Sequence, residues 1–110
     1  MNILEDFKAE CFEIRNVPAL DPVAVYVRDM GMQRGHITVT CFGAAWTAYF
    51  GAMGCDSVEE FISKVSGEYL CNKTAPPSNQ TKAQEKYRRR VKDAVIEAIA
   101  ARQKANQVTA

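Results

Sequence analysis

The sequence predicts an α+β fold: a three- to four-stranded antiparallel sheet, a short amphipathic helix packed on it, and a long C-terminal helix. Three observations lead there. Apolar residues alternate with period two through the first half, helical spacing begins only after Asp56, and a proline-bearing stretch, TAPPSNQ, precedes the last helical pattern. At 110 residues, with 47% hydrophobic and 25% charged content, the chain has room for one core. The expected organisation is an α+β body over 1–73, a linker over 74–80 and a C-terminal amphipathic helix over 81–107, together a single domain.

The first strand is expected within FKAECFEIRNV, residues 7–17, with Phe12 and Ile14 on one face and Cys11, Glu13 and Arg15 on the other. Pro18 ends it, and ALDP reads as a turn. In PVAVYVRD, Val23, Val25 and Val27 share one face while Ala24, Tyr26 and Arg28 share the opposite one. MGMQRG then supplies a connecting loop of about five residues.

From His36 to Cys55 no residue is formally charged. The length suits a membrane helix, but His36, three threonines and three glycines interrupt the run, so no membrane span is expected. Apolar positions are odd at Ile37, Val39 and Cys41 and even at Trp46, Ala48 and Phe50. A straight strand cannot put both sets on one face. A bulge at Gly43 repairs the flip. So does a hairpin with Gly43-Ala44 as its loop, which pairs Ile37 with Phe50, Val39 with Ala48 and Cys41 with Trp46. The hairpin sorts apolar from polar pairs and is the favoured arrangement.

Helix signals start at Ser57, where Glu60 three residues on completes a capping box. Val58, Phe61, Ile62 and Val65 then give helical spacing over 57–66, with Gly67 as the expected stop and a short turn at GEYLCNK. Thr81 with Gln84 restarts a helix. Its apolar stripe comprises Tyr87, Val91, Ala94, Val95, Ala98 and Ile99, with Ile96 beside Lys92 on a second strip.

Net charge is +1, yet residues 1–76 hold six basic against ten acidic residues and residues 77–110 eight against three. An acidic body carries a basic helix. Lys86, Arg88, Arg89, Arg90 and Lys92 are therefore the candidate contacts to nucleic acid or an acidic partner, set against a solvated helix face as the plainer reading. Ile96 and Ile99 are the candidate partner or dimer contacts. Glu10, Glu13, Asp56, Glu59 and Glu60, with Glu5 and Asp6, form a candidate acidic surface facing a basic groove. Trp46 and Phe50 are assigned to the core face, leaving Phe42, Tyr49 and Tyr26 as surface aromatics.

Cysteines 11, 41, 55 and 71 lie far apart, with no C-x-x-C, so reduced thiols are expected and no metal site. One His, no G-x-S-x-G and no phosphate-cradling glycine loop argue against an enzyme, and no cofactor is implied. MNILEDFKAECFE turns acidic by Glu5, which predicts no secretory signal and a cytoplasmic protein.

The stretch RGHITVTCFGAAWTAYFGAMG, followed by SVEEFISKV and EYLCNK, resembles a pattern in small phage and prophage proteins. The matching positions are Gly35, Phe42, Gly43, Ala45, Trp46, Thr47, Tyr49, Phe50, Gly51, Met53, Gly54, Tyr69 and Leu70. The resemblance spans about residues 14–73 and leaves the basic helix as an addition with its own partner. It implies a phage context and carries no active site. The expectation is a small non-enzymatic interaction protein, in the host cytoplasm, that binds and modulates a host or phage nucleic-acid-handling complex. An anti-CRISPR inhibitor is its sharpest form. Direct DNA or RNA binding through the basic helix is the alternative, and a homodimer through that helix a further expectation.

Overall fold

The computed structural model describes residues 3–74 and 81–108, with side chains described to residue 105. The linker expected over 74–80 therefore falls, apart from Thr74, outside the described residues. Four strands, β1 (Glu10–Ile14), β2 (Val23–Gly31), β3 (Arg34–Cys41) and β4 (Ala44–Phe50), form one antiparallel sheet in chain order. Three helices follow: α1 (Val58–Ile62), α2 (Gly67–Lys73) and α3 (Lys82–Val108).

Parity decides which face is covered. Val23, Val25, Val27, Ile37, Val39, Cys41, Ala48 and Phe50 all point to the helices and are buried with Val58, Ile62, Leu70, Val91, Val95 and Ile99. The opposite face carries Tyr26, Arg28, His36, Thr38, Thr47 and Tyr49 and meets no helix.

The first internal hairpin turns more tightly than the sequence suggests, and the second turns one residue earlier. The β2–β3 connection is the two residues Met32-Gln33, not a loop of five; both have positive φ, and an irregularity between Asp29 and Gly31 absorbs the odd residue. Between β3 and β4 the loop is Phe42-Gly43, not Gly43-Ala44. Their φ values of 50° and 78° suit a type I′ turn, which twists with the flanking strands. Consequently Cys41 pairs with Ala44, Val39 with Trp46 and Ile37 with Ala48. Moving the partner by two residues preserves every side chain's face, so the expected core assignment survives.

The first helix is shorter than expected. Ser57 Oγ accepts the Glu60 N–H at 3.1 Å, and Asp29 Oδ1 from β2 accepts the Val58 N–H at 2.7 Å, fixing the start of α1 on the sheet. Gly35 lets α1 approach closely, because a Cβ there would run into Val58 Cγ2 and lie 2.8 Å from the Arg28 carbonyl oxygen. Gly67 does not stop a helix; it opens α2, capped by Ser66 Oγ on the Tyr69 N–H at 3.1 Å. A side chain at Gly67 would collide with Asp93 and Arg89 of α3. Thr81 and Gln84 close their capping box in both directions, at 3.1 and 2.8 Å.

Candidate interaction surface

The basic residues of α3 divide between the core and the surface. Val91 and Lys92 each lie three or four residues from both Arg88 and Val95, and Ile99 four residues beyond Val95, so the five share one helix face, and all five are buried. Arg88 donates through its Nη2 to the Cys71 carbonyl and so holds α2 against α3. Lys92 is fully buried, its Nζ 3.7 Å from the centroid of the Trp46 ring and without a hydrogen-bond partner among the described residues. Burial, with Arg88 adding to it, lowers the Lys92 pKa to about 8, tempered by the neighbouring Cys71 and Cys41.

Lys86, Arg89 and Arg90 are exposed. Arg89 pairs with Asp93 at 3.2 Å across one helical turn, and Arg90 donates to the Pro18 carbonyl at 2.8 Å. Tyr87 fastens α3 to the same β1–β2 connection: its hydroxyl donates to Asp21 Oδ2 at 2.6 Å and accepts the Asp21 N–H at 3.1 Å. The bond to the Asp21 carboxylate pushes the phenol up to about 12. Ile99 is core, and Ile96 is half-buried against it. The second apolar strip thus packs on the body of the same chain.

The acidic candidates do not share one surface. Glu10 lies on the helix-side face of β1, since it pairs with Val27, whereas Glu13 lies on the outer face beside Arg15. Glu60 pairs with Lys64 at 3.4 Å, and Asp56 is exposed. Glu59 is buried; Arg102 Nε reaches its Oε1 at 2.8 Å while Nη2 reaches Glu10 Oε2 at 3.4 Å. Burial raises the Glu59 carboxyl, but its bonds to Arg102 and Glu10 outweigh that and hold it below the usual range. The neighbouring Glu59 carboxylate, with a smaller effect of burial, raises Glu10 above its ordinary range. Arg102 also stacks over Phe12, 4.2 Å from its centroid. Arg102 is not among the residues the charge pattern singles out, and its one legible sign in the sequence is the three-residue step from Ile99.

What remains open is the outer face of the sheet. Arg28, His36 and Tyr49 form one cross-strand row, and Cys11, Tyr26, Thr38 and Thr47 the next. His36 meets Tyr49 edge-on at 5.5 Å, Thr38 and Thr47 hydroxyls bond at 3.0 Å, and Phe7 lies 3.7 Å from the Arg28 guanidinium carbon. Tyr26 is 45% and Tyr49 54% exposed. At the hairpin tip Phe42 is 83% exposed while holding a left-handed backbone, a conformation bulky side chains seldom adopt. An apolar ring kept in water at a conformational cost fits recognition better than stability.

Among the described residues, all four cysteines are free, no group of His, Cys, Asp and Glu is placed to hold a metal ion, and no helix is long and apolar enough to cross a membrane. No curated protein matches the chain, and no solved structure matches it. A family model, Phage_phiTE_072, described as Phage family, matches residues 1–109. The match extends well past the motif segment and takes in α3, so the basic helix is not an addition to the family pattern. By that match, which covers nearly its whole length, this chain belongs to a phage protein family.

Proposed function

We propose that this phage-family protein is a non-enzymatic interaction module that docks through the outer face and tip of its sheet on a protein of a host or phage nucleic-acid-handling complex, and modulates or inhibits it. The observation that carries the reading is the exposed aromatic set Tyr26, Tyr49 and Phe42 on the side that no helix covers. Aromatic rings at the centre of an exposed patch are typical anchors of protein interfaces. Inhibition of a host defence complex, as an anti-CRISPR protein does, is the sharpest form, since steric blocking needs no reactive group. A photo-cross-linker introduced at Phe42 or Tyr49 and activated in infected cells should capture a subunit of such a complex, and Tyr26→Glu should abolish the capture. Cross-links to nucleic acid alone, or none, would overturn it.

A second reading, direct DNA or RNA binding, draws support from Lys82, Lys86, Arg89 and Arg90, which fall on one exposed side of α3. It requires affinity for bare nucleic acid that falls steeply with salt and drops in Lys86→Glu and Arg89→Glu. The buried Arg88 and Lys92 add little to such a surface, since Lys92 has no exposed area and Arg88 only 6%.

A further inference from the structure

The two edges of the sheet are treated differently. The β1 edge is short, carries Glu10 and Glu13, and runs into a turn with Pro18 and positive φ at Asn16 and Ala19; charge, brevity and proline are the usual means of discouraging edge pairing. The β4 edge has none of these. Its seven residues, Ala44-Ala45-Trp46-Thr47-Ala48-Tyr49-Phe50, include no charge, no proline and no bulge.

The tight turn also settles which backbone groups of β4 point outward. Cys41 and Ala44 close a two-residue hairpin and exchange hydrogen bonds, so Ala44, Trp46, Ala48 and Phe50 bond inward to β3. Ala45, Thr47 and Tyr49 direct their N–H and C=O groups to the free edge, and all three residues are exposed. No backbone bond outside the sheet occupies these groups among the described residues.

Laid antiparallel against itself about Thr47, the strand is complementary in size as well as in hydrogen bonding. Phe50 then stands opposite Ala44 of a second copy, Tyr49 opposite Ala45, Trp46 opposite Ala48, and Thr47 opposite Thr47. Every aromatic ring meets a methyl group, no charge meets a like charge, and the outward groups of Ala45, Thr47 and Tyr49 form about six inter-strand bonds. Slipping the register by two residues sets Trp46 opposite Phe50 in one direction and opposite its own copy in the other. The size pattern is what favours a second copy over an unrelated strand.

We infer that β4 is a self-pairing edge: two copies of this chain join β4 to β4 about a two-fold axis through Thr47, making one continuous eight-stranded sheet. This interface lies on the sheet edge and does not involve α3 or depend on the proposed function. The test uses the full chain at several concentrations, with mass measured by light scattering. Twice the chain mass is expected, falling to the single mass in Thr47→Lys, which sets two ammonium groups against each other at the axis. Thr47→Cys in a Cys11→Ser background should form an intermolecular disulfide on mild oxidation, as directly paired residues lie within bridging distance. Ala44→Cys should not, because its two copies sit about 20 Å apart along the strands. The cross-link keeps the test decisive if the lysine variant fails to fold. A monomer at every concentration, or a dimer that forms no Thr47→Cys disulfide, would overturn the inference.

Discussion

The ammonium of Lys92 sits 3.7 Å from the centroid of the Trp46 indole, and no part of Lys92 reaches solvent. The ring face favours the charged form, but burial and the neighbouring Arg88 work against it, and burial wins: the pKa falls to about 8. The folded state therefore releases a proton that the unfolded chain keeps up to about 10.5, so stability rises with pH between 8 and 10. Lys92→Met keeps the length and removes the charge. In urea titrations at pH 7 it should be at least as stable as the parent, by up to about 3 kcal/mol, and should lose that pH dependence. A clear loss of stability at pH 7 would show that the ammonium is a net asset in the core.

Gly35 is required by the approach of α1 to the sheet. Gly35→Ala should cost about 2 kcal/mol, since the added carbon meets both Val58 and the Arg28 carbonyl. Combining it with Val58→Ala should recover part of that loss relative to the sum of the single changes, because only the side-chain clash is relieved. Simple additivity in denaturation midpoints would argue that the two residues do not meet.

Tyr87 is expected to ionise late for a phenol. Its bond to Asp21 favours the neutral phenol, so the contribution of this tie is complete below the ordinary tyrosine range and is lost as pH rises from about 10 toward 12. Ultraviolet titration should resolve one late phenol that Tyr87→Phe removes. If no late phenol is seen, the tie is broken in solution.

Phe42 contributes to its turn at a cost. Phe42→Asn places a residue suited to the first position of a type I′ loop and should stabilise the fold by up to about 1 kcal/mol. A higher thermal midpoint together with weaker partner capture would separate the two roles of this position. A lower midpoint would contradict the turn assignment.

The strand faces were readable in the sequence because parity is insensitive to a two-residue slip: Ile37, Val39, Trp46 and Phe50 reach the inner face in either register. The turn was not, because Gly43 suits the first position of one turn type and the second of another, and only the pairing of Cys41 with Ala44 decides. Gly67 reads locally as a helix stop. Its presence is explained instead by the nearness of Asp93 and Arg89, a tertiary contact that no local pattern encodes. Arg88 and Lys92 read as surface because such side chains are seldom buried, although their spacing with Val91, Val95 and Ile99 puts them on the inward stripe. The outer face was partly legible, in that Tyr26, Tyr49 and Phe42 were assigned to the surface from pairing alone.

Because the strands pair strictly in chain order, each sheet contact is available as soon as its own segment has been synthesised. The lid over that sheet is not. Val91, Val95 and Ile99 are supplied by the last quarter of the chain, so a nascent chain that already holds its meander still shows Val25, Ile37 and Val39 to its surroundings. Final burial of the core thus waits on synthesis of α3, and a product truncated before Lys82 should be sticky and rapidly degraded, whatever the protein binds.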